Sequence, residues 1–78
     1  MIAGMSRGDL VLRKEQNESQ VGTIVAIGPR RLTVLWAGGG QEYYVRHQWY
    51  RLVHVPVERE PEARIALARN LPFVREAP

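Results

Sequence analysis

Cysteine is absent from this 78-residue chain. Its absence excludes disulfides and thiolate zinc ligands, the usual staples of a domain too small for a large core. A cysteine-free chain fits a reducing compartment, so a cytoplasmic protein is predicted. No long apolar run is present, and the first residues lack a basic start followed by a hydrophobic stretch. Neither a membrane span nor a signal peptide is therefore expected, and no membrane partner.

Groups able to carry chemistry are equally scarce. His47 and His54 have no cysteine and few carboxylates to complete a metal site, so no metal is expected. Ser6 and Ser19 fall in loops with no arranged base, which removes support for nucleophilic catalysis. Gly38, Gly39 and Gly40 are not followed by a lysine–serine/threonine pair and a helix, so they form no phosphate loop. A chain this short buries only roughly 60% of its unfolded surface, which leaves little room for a walled cleft. No cofactor and no enzymatic activity are predicted.

What is present is arginine, with ten residues against one lysine and a net charge of +3. The excess is local. Residues 28–55 hold Arg30, Arg31, Arg46 and Arg51 against a single acid, Glu42, whereas residues 56–78 hold four arginines and four glutamates.

Short strand patterns run through most of the chain. Residues 10–14 follow the Gly8-Asp9 opening, and residues 15–20 are polar and read as an exposed loop. Residues 21–27 are rich in β-branched side chains, and Gly28-Pro29 stops them. Residues 31–36 alternate, with Leu32, Val34 and Trp36 on one face and Arg31, Thr33 and Leu35 on the other. The glycines at 38–40 make a hairpin turn, and residues 42–46 return as a fourth strand. Residues 47–50 read as a tight turn, and residues 51–55 as a fifth strand closed by Pro56. Proline at 61 and acids at 60 and 62 mark a helix start, giving a short helix over about 61–69 that ends at Asn70 and Pro72. Two to three turns are unstable alone, so this helix must pack on its own domain or on a partner, and Ile65, Ala66 and Leu67 are its docking candidates.

These elements predict an all-β domain over residues 8–56, after a flexible N-terminus at 1–7 and before a helical tail at 57–78. Five short strands with tight connections favour a small barrel, since closing the sheet removes exposed edges. The pattern Gly8-Asp9-x-Val11, Val21-Gly22-x-Ile24-Val25-x-Ile27, Leu32-x-Val34-x-Trp36, Glu42 and Leu52-Val53 resembles the SH3-like barrels of the KOW, Tudor and related bacterial small-barrel families. The resemblance implies a five-stranded SH3-like barrel with a short C-terminal helix, and a binding function. Such barrels take RNA, DNA, peptides or subunits of larger machines, so fold alone does not choose. The lysine-rich loop often seen in ribosomal KOW proteins is missing here.

Five of the six aromatics, Trp36, Tyr43, Tyr44, Trp49 and Tyr50, fall within the same basic stretch. Aromatics interleaved with arginines suit stacking on bases beside phosphate contacts. They also suit a small hydrophobic core. Tyr43 and Tyr44 must point to opposite faces. The candidate binding residues are Arg30, Arg31, Tyr43, Tyr44, Arg46, Trp49 and Arg51, with nucleic acid as the leading partner. The alternative is a protein-interaction adaptor, a small subunit or phage-type accessory factor of a larger complex, docking through the same aromatics or the tail. Both a monomer and a small homo-oligomer remain open.

Overall fold

The computed structural model describes residues 4–76. In chain order the elements are β1 (Leu10–Arg13), β2 (Glu18–Ser19), β3 (Gly22–Ile27), β4 (Arg31–Trp36), β5 (Gln41–Val45), β6 (Leu52–His54), α1 (Glu60–Arg69) and β7 (Phe73–Val74). Short 3₁₀ turns occupy Arg46–Arg51 and Val57–Arg59. Five strands form one antiparallel sheet in the order β5-β4-β3-β1-β6, and β2 pairs separately with β7. The protein is thus mostly β with one short helix. The expected loose end at residues 1–7 and the end of the tail at 77–78 fall partly outside the described residues.

Strands β5 and β6 are opposite edges of the sheet, yet only the six residues of Arg46–Arg51 join them. Laid flat, the edges would stand four strand spacings apart, roughly 19 Å. Six residues of 3₁₀ helix rise only about 12 Å. The sheet must therefore curl, and a bulge in β3, where pairing shifts between Ile24 and Ala26, supplies a bend. Gly22 lies across from Trp36, and a Cβ on it would stand 2.7 Å from the indole, so only glycine lets the strands meet here.

Alternation sends side chains to two faces. On the inner face, Val11, Ile24, Leu32, Val34, Trp36, Tyr44, Trp49 and Leu52 form one core, with half-buried Met5 against it. On the outer face, Leu10, Leu12, Val21, Val55, Ala63, Ala66 and Phe73 form a second. The run Leu10-Val11-Leu12 is apolar throughout because β1 is covered on both sides.

Helix α1 therefore packs on its own sheet, through Ala63, Ala66 and half-buried Leu67. Its small residues let the backbone come close. Ile65, expected to dock, instead faces outward at 53% exposure, because it sits one position off the Ala63/Ala66 face. Asn70 ends the helix in the left-handed conformation (φ 52°), its N–H reaching back to the Ala66 and Leu67 carbonyls. The polar loop at 15–20 is more structured than its composition implies. Its residues Glu18 and Ser19 pair with Val74 and Phe73, and Asn17 exchanges hydrogen bonds with the Glu76 backbone.

Candidate functional site

Pairing places the basic residues together at one end of β4 and β5. Gly28-Pro29 turn the chain tightly, with the Gly28 N–H donating to Arg31 O at 2.8 Å. Arg30 occupies that turn, and Arg31 begins β4. Arg31 lies directly opposite Val45, the last residue of β5, so Arg46 follows beside it. The Arg31 guanidinium sits 4.1 Å from the centre of the Tyr43 ring on the outer face, where Tyr43 is 55% exposed.

Four of the ten arginines are paired with carboxylates. Arg13 meets Glu42, Arg51 meets Glu15, Arg59 meets Glu62 and Arg75 meets Glu76. Among the described residues, Arg30, Arg31 and Arg46 have no carboxylate within ion-pair distance. Their positive charge is not neutralised by an ion pair.

The other candidates lie elsewhere. Tyr44 points inward and is buried, because it pairs with Leu32 on the core face. Trp49 is buried beneath the 3₁₀ turn, its Nε1 donating to Tyr44 O at 3.1 Å. Arg46 lies 5.2 Å from the Trp49 ring centre and forms its outer cover. Tyr44 and Trp49 therefore lie beneath the exposed arginines, and Tyr44 reaches the polar groove that Arg51 also lines. Tyr50, by contrast, is among the most exposed apolar side chains.

Arg51 belongs to a second feature, a polar groove of about 330 Å³ where the end of β1 and the following loop approach β5. At its floor Glu42 Oε1 accepts from Trp36 Nε1 at 2.7 Å, Tyr44 OH at 2.8 Å and Arg13 Nη2 at 3.1 Å. Arg13 also stacks on Trp36, 3.8 Å from the ring centre. Partial burial pushes the Glu42 carboxyl up, but the hydrogen bonds from Tyr44, Arg13 and Trp36 and the Arg13 charge outweigh it. Its pKa falls below the ordinary glutamate value. Burial, then the bond to Glu42 and its negative charge, push the Tyr44 phenol up to about 12. Sequence reading missed this network. Its one signal was parity, since Arg13 shares the inner face with Val11.

The histidines do not form a site together. His54 Nε2 lies 3.0 Å from Asp9 Oδ2, the oxygen that also accepts the Ser6 backbone N–H at 2.9 Å. This carboxylate closes the turn before β1, and His54 fastens that turn to β6. No grouping of three or more histidine, cysteine or acidic residues able to hold a metal occurs among the described residues. No described helix is long and apolar enough to cross a membrane. No protein-family model, curated protein or solved structure matches the chain, so its reading rests on its own geometry.

Proposed function

We propose that the protein is a non-enzymatic nucleic-acid-binding module, its curled sheet an SH3-like five-stranded barrel left partly open. The curl supports the barrel reading, since the six-residue turn between β5 and β6 brings the two sheet edges toward one another. The observation that carries the function is the cluster of Arg30, Arg31 and Arg46, unpaired with carboxylates, beside the exposed ring of Tyr43. Guanidinium groups supply phosphate contacts, and an exposed aromatic supplies a stacking surface. Cytoplasmic residence is part of the same proposal, carried by the cysteine-free sequence.

Three phosphate contacts imply a modest affinity that falls with salt, with a slope of log K against log salt of about −2 on a single strand. The test is the double charge reversal Arg31→Glu/Arg46→Glu, titrated with labelled oligonucleotides at two salt concentrations. Loss of binding, with the fold retained, is expected. Unchanged affinity would falsify the reading.

A second reading, a protein-interaction adaptor, draws on a different place. Beside α1, exposed Ile65 and Leu71 border a mainly apolar groove of about 280 Å³ floored by Phe73.

A further inference from the structure

The sheet's outer face is only half covered. Helix α1 and Phe73 seal it over β1, whereas over β4 and β5 it stays open, and Tyr43 stands at its centre. Thr33 lies directly across from Tyr43, Arg31 and Leu35 flank Thr33 along β4, and Val45 follows Tyr43 on the same face of β5. Leu35 and Val45 are themselves more than a third exposed. Arg31 covers one side of the Tyr43 ring, and the remaining exposure leaves the rest of the ring to solvent.

Resting on the nucleic-acid reading, we infer that the ligand is a single strand rather than a duplex. One unpaired base stacks on Tyr43, and adjacent phosphates meet Arg30, Arg31 and Arg46. An exposed aromatic ring can stack only against a base whose own face is free, and in a duplex those faces are already stacked. Reading base edges in a major groove needs a helix or ribbon that projects into it. Helix α1 is the one α-helix among the described residues. It is docked through Ala63 and Ala66, and its two arginines, Arg64 and Arg69, are matched in number by Glu60 and Glu62, so its formal charge is zero. The β4–β5 hairpin ends in Gly38, Gly39 and Gly40, which have no side chains to reach a base. Contacts through base faces and phosphates also make the binding tolerant of sequence.

The test is fluorescence anisotropy with short labelled oligouridine, oligothymidine and a hairpin duplex of matched length. The wild type is compared with Tyr43→Ala, Tyr43→Phe and Arg30→Glu. Single strands should bind at least about tenfold more tightly than the duplex, and Tyr43→Ala should remove about tenfold or more of that affinity. Tyr43→Phe, which keeps the ring, should retain it. Arg30→Glu should weaken both ligand types alike. The two single strands distinguish RNA from DNA. Equal binding of duplex and single strand, or full single-strand affinity in Tyr43→Ala, overturns the single-strand inference while leaving the nucleic-acid reading in place. Absence of any binding by the wild type at low salt overturns both.

Discussion

Trp36 donates its indole N–H to Glu42 Oε1 at 2.7 Å, which ties a fully buried ring to a carboxylate at the edge of the sheet. The same oxygen takes hydrogen bonds from Tyr44 and Arg13, and together these hold the Glu42 pKa below its ordinary 4.5. As pH falls past the unfolded value, the unfolded chain protonates Glu42 before the folded protein does. Stability contributed by Glu42 is therefore complete above that value and is lost as pH drops through the lowered folded value. Urea melts across the acid range should show this loss in the wild type. Glu42→Gln should be less stable near neutral pH and flatter below it. Parallel acid profiles for the two proteins would show that the carboxylate is not acting through its charge.

Tyr44 gives the opposite linkage at the alkaline end. Its phenol is pushed up to about 12, so between the ordinary 10.0 and that value the folded state holds a proton the unfolded chain has lost. Stability from Tyr44 is full below 10.0 and is lost as pH rises through the folded value. The chain has three tyrosines, so Tyr43→Phe/Tyr50→Phe leaves Tyr44 as the single ionisable phenol. Tyrosinate absorbance in that variant should rise with a midpoint near 12, before or together with unfolding. A midpoint near 10 in the folded protein would rule out the buried, hydrogen-bonded phenol.

Much of the sheet is legible from alternation alone. Leu32, Val34 and Trp36 are all buried and Arg31 and Leu35 exposed, as period two requires. The candidate site is legible only in part. Which of Tyr43 and Tyr44 faces out depends on the register across the glycine turn, where Leu32 meets Tyr44. The burial of Trp49 depends on a 3₁₀ turn, which has no periodic signature of its own. The β2–β7 pair is illegible for another reason: two-residue strands carry no pattern, and their pairing joins Ser19 to Phe73 and Glu18 to Val74, far apart in the chain. The arginines read as equivalent in sequence because pairing with carboxylates is decided by the fold. Arg51 finds Glu15 across 36 residues, while Arg31 finds a tyrosine.

Gly22 tests whether close approach of β3 and β4 is required. A Cβ there would lie 2.6 Å from Val34 Cγ1 and 2.7–2.8 Å from the Trp36 ring, both in the inner core. Gly22→Ala should destabilise the protein by about 1–3 kcal/mol through overpacking. The environment of Trp36 should change with it, which its fluorescence reports. Wild-type stability in this variant would mean that the two strands can part without cost.

Arg59 is the residue that holds the C-terminal segment to the helix. Its Nη1 donates to Val74 O at 2.7 Å and to Arg75 O at 2.9 Å. Its Nε and Nη2 grip Glu62 at 3.1 and 2.8 Å, and the guanidinium lies 4.2 Å from the Phe73 ring centre. One planar group thus serves two carbonyls, a carboxylate and an aromatic face, which a lysine ammonium cannot reproduce. Arg59→Ala should cost about 2 kcal/mol, the scale of hydrogen bonds from a charged donor. Arg59→Lys should recover little of that loss. The effect should also be local, because β7 touches the sheet's outer face through Phe73 while β1, β3 and β4 have their own inner core. Hydrogen exchange should therefore accelerate at Phe73–Val74 and at its partner Glu18–Ser19 before it does in β3 and β4. Equal acceleration throughout the sheet would mean instead that the segment opens only when the whole domain unfolds.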